Sequence, residues 1–246
     1  MPHMHPGASP LAVAPTMAVL LIACVYVRDW SAARSNGTDA IPAWRAGSFL
    51  FGLVLIWTAV GSPLAALDHR WLTVHMIQHL LLMTFAPPLL WLGAPAMAVR
   101  ARALSRPALC WFVAALVLVG WHLPAFFTLG MQSPAWHAVE QASFLLAGLL
   151  FWLPVVHAGP GDPAEEGWSI IVYLFLATLP CDILAGLLVF SERVVYPGYL
   201  ETPPHTLASV LADQERAGAL MWTCVTLVYL VPAALLSTRL LSPRSL

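Results

Sequence analysis

His75 and His79 stand four residues apart in an otherwise apolar stretch. On a helix this spacing stacks them on one face, where two imidazoles can hold one metal ion or one face of a porphyrin. Met83 continues the same stripe one turn further, and His137 and Glu140, three residues apart, share a face in the same way. An imidazole pair at i and i+4 is a moderately specific metal signal, whereas His-x-x-Glu alone is a weak one. Imidazoles with thioether or thiol groups nearby favour copper or zinc over magnesium or calcium, because hard cations want cages of oxygen. Haem held between two histidines is the other chemistry these residue types allow. The residues alone leave copper, zinc and haem open.

Those side chains must be positioned by elements of unusual composition. The chain has 246 residues, 60% hydrophobic and 9% charged, where a soluble domain is about one quarter charged. That points to one polytopic membrane domain over residues 1–246, all-α because an open strand in lipid leaves backbone groups unpaired. Apolar runs near 11–27, 47–67, 72–98, 107–129, 138–157, 168–190 and 217–237 predict a bundle of about seven transmembrane helices. Pro87, Pro88 and Pro95 should kink the third run or end it early. The first residues, Met1 to Pro6, carry no Lys or Arg, so the first run is expected to be a retained span and not a cleaved signal. All eleven basic residues are arginine and the net charge is −1, which excludes a nucleic-acid footprint. Cys24, Cys110, Cys181 and Cys224 sit in apolar runs without CxxC spacing and read as small buried hydrophobes.

Arginine placement orients the bundle. Arg28, Arg34, Arg45, Arg100, Arg102, Arg106, Arg239 and Arg244 fall on one side, and Arg70, Arg193 and Arg216 on the other. Positive loops stay in the cytoplasm, so the N-terminus is expected outside and the C-terminus inside. The acidic loop with Asp162, Glu165 and Glu166 lies on the expected cytoplasmic side, where acids carry little weight. In this orientation His75, His79, His122, His137, Glu140, Asp182 and Asp213 collect in one outer layer, while the inner half holds little beyond His157. Ionisable groups at membrane depth are expensive and ordinarily face a partner, a ligand or the bundle interior. An outward-facing site is therefore the default expectation.

Each residue also has a plainer reading. His75 and His79 could bond carbonyls of neighbouring helices, and His122 and His137 lie where imidazole and aromatic rings often anchor at the interface. Glu140 and Asp182 could orient histidines instead of ligating. Asp213 stands just ahead of the last run. Met76, Met221, Cys181 and Cys224 share the outer layer, yet single sulfur residues in apolar helices are mostly packing. His3, Met4 and His5 could collect copper weakly, and His69 and His205 read as solvated loop residues. Trp44, Trp71, Trp136 and Trp168 read as interface anchors.

A family resemblance rests on several of these segments. His75-Met-Ile-Gln-His79, running into Ala86-Pro-Pro-Leu-Leu and Gly93-Ala-Pro95, resembles the signature of the polytopic CtaG family of bacterial cytochrome c oxidase assembly factors, as distinct from the single-span copper chaperone that shares the name. Trp121-His122-Leu-Pro, Trp136-His137 with Glu140, Phe151-Trp152-Leu-Pro154, Tyr196-Pro-Gly-Tyr199 and Asp213-Gln214 leading to Gly218-Ala-Leu-Met-Trp222 extend it over about residues 50–235. The resemblance implies a seven-helix protein of the bacterial inner membrane that helps assemble haem-copper oxidase, with oxidase subunits as partners, a role in handling copper and no turnover chemistry of its own. Carried over by position, it implies a site of His75, His79, His122, His137 and Asp213; Glu140 and Asp182 rest on the depth argument. One departure is Gly218-Ala219 where the family has a glycine pair. The alternatives are a b-type haem oxidoreductase with imidazole axial ligands, a metal-free assembly scaffold, and a copper transporter, which the bare inner half disfavours.

Overall fold

Proline sets half of the α-helix starts. In the computed structural model, which describes residues 10–37, 41–157, 165–201 and 206–241, α1 (Pro10–Ser35), α5 (Pro95–Ala101), α6 (Pro107–His122), α7 (Pro124–Gln132) and α8 (Pro134–His157) all open on a proline. A first-turn N–H has no intrahelical partner, so the missing donor costs nothing there and the ring presets φ. The other helices are α2 (Ala43–Val60), α3 (Leu72–His79), α4 (Ala86–Gly93), α9 (Glu165–Phe190) and α10 (Leu207–Leu241). No strand occurs among the described residues. His3, Met4, His5, Asp162, His205 and Arg244 lie outside them.

The architecture is all-α and polytopic. Among the described residues, six helical segments are long and apolar enough to cross a membrane: Val13–Ser35, Ala43–Leu67, Leu72–Gly93, Pro134–Val156, Gly167–Phe190 and Leu207–Thr238. A seventh span arises if Pro95–Leu104 and Pro107–His122, bent by 93° at their junction, count as one.

Several boundaries differ from those expected, α1 running on to Ser35 among them, and three bear on the polar layer. The run expected over 107–129 is broken at Leu123, where the following Pro124 drives the backbone extended (φ −66°, ψ 131°), so α6 stops at His122 and α7 is a separate short helix. The run expected over 72–98 ends at Gly93, ahead of Pro95. The last run, expected from 217, is helical from Leu207, which places Asp213 inside α10 and not before it.

Pro87 and Pro88 do not end their span, and the reason is local. Leu80–Phe85 between α3 and α4 is a π turn, closed by Ala86 N–H donating to the Leu81 carbonyl. The wider turn moves the break in the hydrogen-bond ladder onto the two residues that lack donors. The Met83 carbonyl, which residue 87 would ordinarily bond, instead accepts from Trp152 Nε1 of α8 at 3.2 Å. Helix α8 comes this close because position 148 is glycine: a Cβ there would lie 2.5 Å from the Met83 carbonyl oxygen and 2.8 Å from Pro87.

This span is the most enclosed of the bundle, with Leu72, Met76, Leu80, Leu82 and Met83 buried against Phe144, Ala147 and Phe151 of α8. Helix α1 is at the other extreme. It packs at the rim on α2, stacking Tyr26 on Phe49 at 4.0 Å, and Tyr26 donates to the Gly93 carbonyl at 2.8 Å. Its Leu20, Leu21 and Val25 face outward, as do Phe175, Ile183 and Phe190 of α9, as lipid-facing surfaces require.

Gly148→Ala is expected to destabilise the bundle by about 1–3 kcal/mol through overpacking, and Trp152→Phe by about 1 kcal/mol through the lost hydrogen bond. Thermal unfolding in detergent, read by circular dichroism, checks both; equal midpoints for wild type and Gly148→Ala would refute the close α8 contact.

Candidate metal centre

The start of α3 sets the position of both its histidines. Its N-cap residue, Trp71, supplies no side-chain cap, and Asp213 reaches over from α10 to do so. Asp213 Oδ2 accepts from Leu72 N at 2.6 Å and Thr73 N at 3.4 Å, and Oδ1 accepts from the Thr73 hydroxyl at 2.6 Å. A carboxylate at a helix N-terminus satisfies orphan donors and complements the dipole. Gln214, the next residue, accepts from Val195 N at 2.8 Å and donates to the Leu188 and Arg193 carbonyls at 3.2 Å each. The Asp-Gln pair thus fixes α3 with one side chain and the α9–α10 connection with the other.

That connection carries two tyrosines into the site. Tyr196 donates to the His122 carbonyl and Tyr199 to the Asp68 carbonyl, both at 2.9 Å. Burial, with the Asp68 carboxylate nearby, pushes the Tyr199 hydroxyl well above its ordinary range, so it stays a donor.

At the centre, His75 and His79 of α3 meet Glu140 of α8. His75 Nε2 and His79 Nε2 lie 3.3 and 3.4 Å from Glu140 Oε1, with side chains 0%, 7% and 0% exposed. One ligand atom from each of the three falls within 4.8 Å of the others. Two ligands of one tetrahedral ion with bonds of about 2.0–2.1 Å sit roughly 3.4 Å apart. Among the described residues, all four ring nitrogens of His75 and His79 and Glu140 Oε1 are buried without a hydrogen-bond partner, because the close contacts are misaligned. Buried polar atoms are nearly always paired, so orphans converging on one point fit a bound cation. The cluster can coordinate a metal ion.

His137 is the next group out. Its Nδ1 lies 3.2 Å from Glu140 Oε2 and its Nε2 lies 2.9 Å from Asp68 Oδ2, so the ring bridges two carboxyl groups. Asp68, 2% exposed, also accepts from His69 N at 2.6 Å. Burial alone would raise the Asp68 carboxyl; the hydrogen bond from His137 and the neighbouring imidazoles outweigh it and hold it below its ordinary 3.8. The carboxylate is therefore ionised at neutral pH, and its contribution to stability is lost only as pH falls below that value. Gly130 of α7 closes the other side, since a Cβ there would lie 2.6 Å from Glu140 Oε2.

The remaining expected residues are placed differently. His122 ends α6 with its ring 6.1 Å from that of His79, near the cluster but outside it. Asp213 is spent on the α3 cap. Asp182 is half-buried in α9 and lines a crevice with His122, away from Glu140. Asp68 is not among the residues that the sequence pattern singles out. The usable signal was an acid directly ahead of His69 and the histidine-bearing run, at the same depth as the rest of the layer.

A bundle of apolar spans closed around a buried imidazole–carboxylate cluster defines a polytopic membrane protein with a centre able to bind metal. The model of the cytochrome c oxidase caa3 assembly factor (Caa3_CtaG) family matches residues 24–242, and the chain belongs to that family. It is 26% identical over 247 residues to uncharacterized proteins of Mycobacterium bovis and Mycobacterium tuberculosis, covering 89% of this chain and 37% of each relative. It is 27% identical over 242 residues to an uncharacterized protein of Mycobacterium leprae, covering 86% of this chain and 36% of the relative. The chain thus spans little more than a third of the length of these curated relatives. No solved structure matches it.

Asp68→Asn keeps the shape but removes the carboxylate charge and one of the two acceptor oxygens that His137 and His69 N share, and is expected to weaken metal binding about 10- to 100-fold without abolishing it. Asp213→Ala is expected to lower stability by about 1–2 kcal/mol through loss of the cap, with metal stoichiometry intact. Competition titration and thermal unfolding on the two variants check this division; loss of all metal in Asp213→Ala would make it a ligand.

Proposed function

We propose that this protein is an assembly factor that binds copper as cargo at the His75–His79–Glu140 centre and aids its delivery to cytochrome c oxidase, without turnover chemistry of its own. Membership of the family supports the assembly role. The observation that carries the copper reading is the set of buried, unpartnered imidazole and carboxyl atoms converging on one point. Two imidazoles and one carboxylate suit copper or zinc and offer too few oxygens for calcium or magnesium.

The centre faces outward in this reading, from a bacterial inner membrane. Arg45 starts α2 and Arg106 precedes α6, while the far ends of both helices lead to Asp68 and to His122. The arginine-rich end is therefore opposite the histidine cluster, and the positive-inside rule puts the cluster outside. A crevice of about 570 Å³ at the cluster end is lined by His69, Phe127, Tyr196 and Tyr199. Phe127 stacks on Tyr196 at 3.9 Å and meets His75 edge-on at 5.1 Å, so one ring separates the crevice from the centre. That ring is a short barrier for an ion arriving from, or leaving to, an oxidase subunit docked outside.

Haem between His79 and His122 is the weaker reading. Phe144 covers the His79 ring face at 3.8 Å, and the cavity the two histidines share is about 40 Å³, far less than a porphyrin needs.

Metal content and the optical spectrum of detergent-purified protein, grown with copper and kept reduced, test the proposal beside a His75→Ala/His79→Ala variant. Near-stoichiometric copper, absent from the double variant and without a Soret band, is the expected result. A Soret band would replace it with the oxidoreductase reading, and protein free of both copper and haem with the scaffold reading.

A further inference from the structure

Next to the centre lies a second compartment that the proposed cluster does not use. The cavity of about 40 Å³ between α3, α6, α8, α9 and α10 is lined by His79 and His122 and by Met76, Met83, Met221 and Cys181. Neither His75, His137, Glu140 nor any other carboxyl or amide side chain lines it. Four of the chain's twelve sulfur-bearing residues therefore meet on one small cavity, with two imidazoles among them.

His122 supplies the decisive detail. Its Nδ1 lies 2.7 Å from the Leu118 carbonyl, an acceptor, so the neutral ring carries its proton on Nδ1. That leaves a bare lone pair on Nε2, which is buried and has no partner among the described residues. A backbone carbonyl fixing one ring nitrogen so that the other presents a lone pair is how metal-binding histidines are ordinarily held. The His79 ring, 6.1 Å away, also has both nitrogens unpartnered. Two metal–nitrogen bonds of about 2.0 Å plus two half-rings add up to roughly 6 Å, the span of one ion between two imidazoles.

We propose that this cavity is a second, soft-metal position that takes a monovalent ion, Cu(I), on His122 and His79 with thioether and thiol sulfur around it. Soft sulfur ligands select Cu(I). The cost of burying charge without a counter-charge rises steeply with that charge, so a cavity free of carboxylates disfavours Zn(II) and Cu(II). The volume holds one ion or a few waters and nothing larger. Trp111 Nε1, also unpartnered at this cavity, is a donor that such a water satisfies. His79 borders both compartments and its neutral ring offers one lone pair at a time, so an ion passes between them as the ring proton shifts from one nitrogen to the other, with no change of oxidation state; with both positions filled, the cavity ion rests on His122 and sulfur. The identity of the ion rests on the copper-handling proposal; the compartment and its sulfur lining do not.

The test uses the full chain in detergent, titrated anaerobically with Cu(I) against a chromogenic chelator, with copper-edge X-ray absorption on the loaded protein. Wild type, Met83→Leu/Met221→Leu, His122→Phe and His75→Ala/Glu140→Gln are compared, with size exclusion and thermal unfolding as controls on folding. The methionine-to-leucine pair conserves volume and keeps the test sound if His122→Phe does not fold. Two Cu(I) equivalents in wild type are expected. Met83→Leu/Met221→Leu should weaken one of them at least about tenfold and reduce the sulfur scattering to what Met76 and Cys181 supply, and His75→Ala/Glu140→Gln should leave one equivalent with sulfur neighbours. One equivalent without sulfur, indifferent to the methionine and His122 variants, would overturn the second position and leave the first centre standing. One equivalent that survives His75→Ala/Glu140→Gln and is lost with His122→Phe would support the cavity and overturn the first centre. No bound Cu(I) at all would overturn both.

Discussion

Burying the Glu140 carboxyl group completely inside a bundle of apolar helices is the constraint from which most of this structure follows. An ion taken out of water costs several kcal/mol even after relaxation, unless partners surround it. Glu140 is 0% exposed, and its partners come from two directions: His75 and His79 on Oε1, and His137 on Oε2. His137 in turn needs Asp68, which needs a fixed loop, which Tyr199 supplies by donating to the Asp68 carbonyl. The sequence of dependencies runs from a single buried oxygen pair to the surface. It stops one donor short, because Glu140 Oε1 has imidazoles within 3.4 Å but no aligned hydrogen bond. A carboxyl group held this tightly on one oxygen and left open on the other is built to receive something.

The helix that carries the histidines is pinned at its start and bulged just past them. Rigidity comes from Asp213, which caps α3 from a helix 141 residues away in sequence. Deformation comes from the π turn at Leu80–Phe85, where Pro87 and Pro88 remove donors and Trp152 and Gly148 of α8 repair the break. Met76, His79 and Met83 stand at i, i+3 and i+7 and share one helical stripe. Met83 turns toward the cavity beside Met76 and His79, whereas the carboxylate side of the cluster is left to α8.

The sequence was most legible where polarity is costly. Apolar runs and proline positions mark the spans, and the rule that ionisable groups in a membrane face a partner selects His75, His79, His122, His137, Glu140, Asp182 and Asp213 alike, of which the structure brings four together. It could not assign roles. Asp213 and Glu140 look alike as acids at similar depth, and only the tertiary arrangement makes one a helix cap and the other the heart of the cluster. Asp68 escaped because it sits outside the apolar runs, where an acid is ordinarily solvated; what buries it is the Tyr199 loop, folded over it from residue 199. Likewise the break at Leu123 is a local effect of Pro124, but the uninterrupted hydrophobicity of residues 107–129 conceals it. Depth along a span is a one-dimensional quantity, and the distinction between cap, ligand and bystander is three-dimensional.

The two ends of the bundle also differ electrostatically in a way that bears on cations. Arg28, Arg34, Arg45, Arg100, Arg102 and Arg106 crowd the end away from the cluster, while the cluster end sets Asp68, Glu140, Asp182, Glu192, Glu201, Asp213 and Glu215 against Arg70, Arg193 and Arg216. Low-dielectric walls focus such a field along the bundle axis, drawing positive ions toward the crevice at the acidic end and repelling them from the arginine end. In the proposed function the carboxylates would recruit a cation, and the carboxylate-free cavity behind His79 would discriminate among those recruited, since only a soft ion of low charge gains more from sulfur and imidazole than it loses in hydration. Recruitment by charge and selection by softness ask for opposite surroundings. Placing His79 on the wall between them lets one side chain belong to both.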